Sequence, residues 1–113
     1  MKNHLRVFKA LSDKNRMRIM KMLEVKPMCV CEITAVLNLA PSTVSKHLSL
    51  LHEAELIEDR KEGRWVNYSL PSKSQIHFVS EMIKFLRRSL KDDPDVLDDM
   101  EKAKKVNRVE LCR

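Results

Sequence analysis

Apolar residues recur at helical spacing from the start of the chain, with Leu5, Phe8 and Leu11 on one face of a first helix. Ser12 is a good N-cap and Asp13 would stand in the first turn behind it, so a second helix is expected to carry Met17, Ile19, Met20 and Leu23. It should stop before Pro27, because the residue preceding a proline is steered out of helical geometry. A third helix is predicted from about Cys29 to Leu37, with Ile33 and Leu37 on one face. Asn38 to Ala40 reads as a short turn, since asparagine tolerates the left-handed conformation that closes a helix. Pro41 suits a first helical position and opens a fourth helix running to about Glu55, which buries Val44, Leu48 and Leu51.

The period then changes from helix to strand. "LIEDR" and "WVNYSL" read as two short strands around "KEGR", with Val66, Tyr68 and Leu70 alternating with Trp65, Asn67 and Ser69. Trp65 is expected on the outer side of its strand. Gly63, the single glycine of the chain, falls at the tip, where a tight hairpin needs a positive φ. Ser72 is expected to cap a fifth helix reaching about Lys91, with Ile76, Val79, Ile83, Leu86 and Leu90 as an apolar stripe. Such a stripe serves a core or a subunit interface more often than chemistry. Pro94 interrupts it, and Asp95 to Lys105 can form one more helix before a tail holding Cys112.

The expected fold is mainly α with a small β-hairpin wing. At 113 residues the chain suffices for one compact domain. Residues 1–91 read as the main folded unit and residues 92–113 as an acidic extension and tail. Lys and Arg number 22 against 16 Asp and Glu, a formal charge of +6. The excess is uneven: residues 92–113 hold five basic and seven acidic residues, whereas residues 1–91 hold 17 basic and nine acidic. A polyanion such as nucleic acid is therefore expected to meet the first 91 residues. No apolar run approaches a membrane span, and the N-terminus lacks the apolar segment of a signal peptide, so a cytoplasmic protein is expected. Three cysteines, an odd number, make a disulfide framework a poor reading and leave metal binding, redox chemistry or packing.

Two helices joined by a short turn and followed by a hairpin with a basic tip form a winged helix-turn-helix, in which the second helix of the pair enters the major groove. On a wheel of the fourth helix Val44, Leu48 and Leu51 turn inward, and Ser42, Ser45, Lys46 and Ser49 lie together outside, with Thr43 beside them. Short hydroxyls allow close approach to base edges, and Lys46 can meet a phosphate or a guanine. Lys61 and Arg64 flank the hairpin tip, within reach of a phosphate or a minor groove. The competing explanation is a merely solvated face. His47 borders the buried side and reads as a satisfied histidine rather than a ligand. His77 has Glu81 at i+4, which is more often a solvated helix pair than a metal site.

The segments "FKALSDKNRMRIMKML", "CVCEI", "STVSKHLSLLHEAELI" and "KEGRWVNYSL", in that order, resemble the ArsR/SmtB family of metal- and metalloid-responsive repressors over roughly residues 5–90. The resemblance implies a homodimer, built through the first and fifth helices, that leaves double-stranded operator DNA when an ion binds. "CVCEI" is similar to the "CVC" box of the arsenic-sensing branch. It places Cys29 and Cys31 at the start of the helix preceding the recognition helix. The zinc site of other members, on the last long helix, is not expected: His77 matches one position, but Gln75 and Arg88 stand where an Asp and a His would be needed.

In a regular helix residues i and i+2 do not share a face, whereas in an extended segment they do. Cys29 and Cys31 straddle the expected helix start, so drawing both thiolates onto one ion should distort the first turn. A helix N-terminus should also favour the thiolate. Soft thiolates suit trivalent arsenic or antimony, or Cd and Pb, over Mg or Ca. Trivalent arsenic prefers three sulfurs, and Thr34 stands where the best-known arsenic box has its third cysteine. Cys112 is the remaining candidate, from its own or the partner subunit, with a loose exposed thiol as the bland alternative. The acidic run Asp92 to Asp99 reads as a solvated face. The expected function is thus a repressor, not an enzyme, induced by As(III), with Sb(III), Cd or Pb as alternative inducers. Thiol-redox sensing through Cys29 or Cys31 with Cys112 is a further alternative.

Overall fold

The computed structural model describes residues 1–72 and 74–111. In chain order the described elements are α1 (Lys2–Leu11), α2 (Lys14–Met22), α3 (Val30–Leu37), α4 (Pro41–Glu53), the strands β1 (Glu58–Glu62) and β2 (Trp65–Ser69), α5 (His77–Arg88), α6 (Pro94–Lys105) and α7 (Arg108–Leu111). This is the predicted winged helix-turn-helix. Val7, Ile19, Met20, Ile33, Val44, Leu48, Leu51, Leu56 and Val79 are buried in one continuous core. Truncating a fully buried leucine such as Leu48 removes its transfer energy and leaves a cavity, a cost of about 2–5 kcal/mol.

Local chemistry sets the element ends. α2 is capped by Asp13, whose carboxylate accepts from the Arg16 amide at 3.0 Å. The cap is therefore Asp13 and not Ser12, because the Ser12 hydroxyl is occupied: it donates to the Phe8 carbonyl of α1 at 2.7 Å. Asn38 closes α3 in the left-handed conformation, φ 57°. Pro41 opens α4 at its first turn. α4 ends at Glu53, two residues earlier than expected, and Glu55 turns left-handed at φ 62°. The wing pairs Glu62 with Trp65 across a two-residue loop, Gly63 and Arg64. Gly63 has φ 60°, at the loop position where a type II′ hairpin turn wants glycine.

Two expected features are displaced. Ser72 does not cap α5, which begins at His77 with Ile76 at the cap; instead the Ser74 hydroxyl accepts from the Ile76 amide at 3.1 Å. Leu90 lies beyond α5, with φ 60°, so the helix and its stripe end at Arg88. On α1, Val7, Ala10 and Leu11 face the core while Leu5 and Phe8 stay exposed. The helix has a second apolar side directed outward.

The acidic C-terminal stretch is not a solvated face throughout. Asp93 caps α6 by accepting from the Val96 amide, and Pro94 occupies the first helical position. Asp99 is only 1% exposed and accepts two bonds from the Arg18 guanidinium of α2, at 2.7 and 2.8 Å. A buried carboxylate demands such a partner, and the planar fork of arginine supplies both donors at once. Ala103 of α6 reaches the core, so α6 packs onto the sheetless side formed by α2 and α3. Lys21 is also buried: its ammonium donates to the Leu86 carbonyl at 2.6 Å and pairs with Glu24 at 2.8 Å. No described helix is long and apolar enough to cross a membrane.

Candidate DNA-binding face and cysteine site

α4 turns Val44, Leu48 and Leu51 into the core, which leaves Ser42, Thr43, Ser45, Lys46 and Ser49 exposed. That is the division read from the helical wheel. Lys61 and Arg64 are likewise exposed at the wing tip. Arg64 lays its guanidinium over the Trp65 ring, 4.7 Å from the ring centre, so its stem is supported while its charge stays outside. The inner side of α4 is fixed to the helices behind it. Arg16 donates to His47 Nδ1 at 3.2 Å and to the Ala10 carbonyl at 2.6 Å. Asp13 lies 4.0 Å from the same imidazole. Its bond from the Arg16 amide, with the nearby Arg16 guanidinium, holds the Asp13 carboxyl below its usual pKa. His47 is thus a satisfied histidine tying α1, α2 and α4 together.

Cys29 is the cap of α3, with extended backbone at φ −92° and ψ 171°, and Cys31 is the second residue of the helix. The two cysteines do straddle the helix start. Cys29 is a free thiol only 3% exposed, whereas Cys31 is half-buried and disulfide-bonded, so the expectation of no disulfide from three cysteines is corrected. Glu32 forms a capping box with Cys29: its carboxylate accepts from the Cys29 amide at 3.1 Å, and the Cys29 side chain faces the Glu32 amide. Glu32 is itself buried, with Lys26 3.5 Å away. The expectation of a depressed thiol pKa at Cys29 is corrected. Burial pushes its pKa up, the neighbouring Glu32 carboxylate adds to this, and the helix amides offset only part. Cys29 is thus a sheltered thiol biased toward its protonated form.

Directly before it, Met28 forms an isolated antiparallel bridge with Tyr68 of β2. The cysteine site and the wing therefore share a backbone connection. Among the described residues no three His, Cys, Asp or Glu side chains are grouped to hold a metal ion. Cys112 lies outside the described residues. His77 and Glu81 stand 3.9 Å apart with His77 88% exposed, a solvated helix pair as expected.

Sequence reasoning missed Glu32 and Arg108. Glu32 had a signal, since an acid three residues after a cap position marks a capping box. Arg108 had none. It reaches the wing from α7, and its guanidinium donates to Asn67 Oδ1 at 2.8 Å and lies 4.7 Å from the Trp65 ring centre. That contact covers the outer side of β2, on which Trp65 is expected. Asn67 is buried and Trp65 half-buried, while Val66 is 37% exposed, because the outer side of β2 is covered by Arg108.

Residues 13–59 match the family model described as "Bacterial regulatory protein, arsR family". The chain is 40% identical over 67 residues to the "Arsenical resistance operon repressor" of Escherichia coli (strain K12), covering 58% of this chain and 57% of that protein. It is 31% identical over 86 residues to the "Transcriptional repressor SdpR" of Bacillus subtilis (strain 168), covering 76% of this chain and 96% of the relative. The solved structure "HlyU from Vibrio cholerae N16961" is similar at a TM-score of 0.64 and 32% identity, over 77% of this chain and 90% of that one. The chain spans little more than half the length of the arsenical-resistance relatives it matches. These relatives are transcriptional regulators by name, not enzymes. With helix-turn-helix, wing and sequence in agreement, the chain belongs to the ArsR family of bacterial regulatory proteins.

Proposed function

We propose that this chain is a transcriptional repressor that binds operator DNA as a homodimer and releases it when trivalent arsenic binds cysteine thiolates. The reading rests above all on one observation: the capping cysteine of α3 directly follows Met28, whose backbone is hydrogen-bonded to the wing strand. α4 would present Ser42, Thr43, Ser45, Lys46 and Ser49 to the major groove, and Lys61 and Arg64 would reach the backbone or minor groove beside it. A dimer through α1 and α5 is supported by their outward apolar side chains. Leu5, Phe8 and Phe85 are each more than half exposed, and Phe78 of α5 stacks on His4 and meets Phe8 edge-on. Apolar side chains left bare on two neighbouring helices favour a subunit contact.

In the reduced protein, once the Cys31 disulfide is opened by a thiol reductant, Cys29 and Cys31 would hold the ion, with Cys112 as third sulfur. The donor set suits a soft ion, and trivalent arsenic best meets three thiolates. Cys29 must give up its sheltered place to do so. Cys29 is extended and Cys31 helical, on either side of the helix start, so drawing both sulfurs onto one ion would unwind the first turn of α3. The Cys29–Glu32 capping box then breaks, and Met28 shifts against Tyr68. By linkage, an ion that prefers the DNA-free form weakens DNA binding by the same factor, about 1–3 kcal/mol.

The test is a titration of the preformed protein–DNA complex with arsenite, antimonite, Cd, Pb and Zn, using a duplex selected by the protein from a random-sequence pool. Release at the lowest concentration by arsenite supports the reading. Release by Cd or Pb alone would reassign the inducer, and release by none would refute ion sensing.

A further inference from the structure

We propose that Arg108 is a positioning residue for the wing, so that DNA binding depends on a C-terminal segment outside the helix-turn-helix unit. The inference rests on the DNA-binding reading and extends it to α7. Three contacts converge on this guanidinium. It donates to the buried Asn67 side chain at 2.8 Å, approaches the Glu62 carboxylate at 3.4 Å and lies over the Trp65 ring. Glu62 and Trp65 are the two residues flanking the wing tip, paired across the hairpin. Arg108 therefore touches both strands of the wing, with its stronger contacts on β2.

The grip has a fixed base. Two residues earlier, the Val106 carbonyl accepts a bond from Lys26 at 2.8 Å, and Val106 packs against the core. α7 itself packs against α3. A two-stranded hairpin alone is marginally stable and free to swing. Met28 restrains one strand near its base, and Arg108 restrains the tip. Arg64 rests on the same Trp65 ring as Arg108. Fixing Trp65 thus fixes where the Arg64 charge stands relative to α4. The Glu62 pair is largely solvated and contributes little; the Asn67 bond and the ring contact carry the positioning.

Trp65 is the only tryptophan, so its emission reports this contact without interference. Arg108→Ala and Arg108→Lys in the full chain are compared with wild type in three measurements. These are iodide quenching of Trp65, affinity for a duplex selected by the wild-type protein from a random pool, and the salt slope of that affinity. Circular dichroism serves to check folding. In Arg108→Ala, quenching should rise, affinity should fall roughly fivefold or more, and the log–log salt slope should flatten by about one unit. Arg64→Ala should cost less in the Arg108→Ala background than in wild type, because its position is already lost. Arg108→Lys keeps the charge but not the planar fork, and should rescue only in part.

Unchanged quenching in Arg108→Ala would overturn the contact. Changed quenching with wild-type affinity would overturn its role in DNA binding. Full rescue by lysine, or additive losses with Arg64→Ala, would make Arg108 one more positive charge rather than a positioning residue. Should the Arg108→Ala chain prove unfolded, Asn67→Leu removes the acceptor while sparing the arginine, and the same outcomes decide. A wild-type chain that selects no duplex would remove the DNA-binding reading itself, and with it this inference.

Discussion

Met28 and Tyr68 exchange two backbone hydrogen bonds, 2.9 and 2.8 Å long, and so join the residue before Cys29 to the strand that carries the wing. A change at the helix cap is therefore felt one residue away by the wing. Arsenite should accelerate hydrogen exchange at the Met28 and Tyr68 amides relative to the ion-free protein, read by mass spectrometry of exchanged fragments. Protection that stays constant while arsenite binds would mean that the signal leaves α3 by another route.

The face formed by α4 and the wing tip should carry DNA affinity. Lys46→Ala and Arg64→Ala are each expected to weaken binding and to flatten the salt dependence by about one unit, with the subunit association unaltered. Anisotropy titrations at several salt concentrations measure both quantities. Wild-type affinity and slope in both variants would remove these residues from the interface.

The Arg18–Asp99 pair should matter to stability more than any surface ion pair. Asp99→Asn leaves a largely buried guanidinium without its counter-charge, and Arg18 recovers only part of the loss because its side chain is about a fifth exposed. A destabilisation of about 2–3 kcal/mol is expected in urea unfolding. Lys14–Asp95, an exposed pair on the same helices, should contribute less than about 1 kcal/mol when Asp95 is replaced.

Asp13 gives a pH signature. Its folded pKa lies below the ordinary 3.8, so its contribution is complete above that value and is lost as pH falls through the lower folded one. Asp13→Ala should cost about 1 kcal/mol at neutral pH through the lost cap. That gap between variant and wild type should narrow as pH falls below the ordinary 3.8, because there the unfolded chain's Asp13 takes up a proton before the folded one does. A gap independent of pH from 7 down to 3 would show that the charge of Asp13 contributes nothing.

The parts of this molecule that a reader of the sequence could see are those set by neighbours in the chain. Asn38, Pro41 and Gly63 announce a helix end, a helix start and a hairpin tip because each has a backbone preference of its own. The inward and outward sides of α4 follow from its period. Ser12 and Asp13 show the limit of local reading: both can cap, and the choice falls to Asp13 because the Ser12 hydroxyl turns back to the Phe8 carbonyl of α1 while Asp13 accepts from the Arg16 amide. The Arg18–Asp99 pair spans 81 positions and the Arg108–Asn67 bond 41, distances over which no periodicity speaks. For the same reason the cover on the outer side of the wing strand is invisible in the sequence, since what lies over Trp65 and Asn67 comes from the far end of the chain. The raised pKa of Cys29 was hidden too. A helix N-terminus suggests a thiolate, but the depth of burial and the carboxylate of Glu32 decide otherwise.

Cys29 and Cys31 should be needed for release from DNA and not for binding to it. The most direct measurement is an arsenite titration of preformed DNA complexes of wild type, Cys29→Ser and Cys31→Ser, followed by fluorescence anisotropy. All three should bind the duplex with similar affinity before arsenite is added, because neither cysteine lies on the α4 or wing face. Wild type should then dissociate with its affinity reduced about 5- to 150-fold, while both variants stay bound. A variant that still releases DNA at the wild-type arsenite concentration would contradict the account.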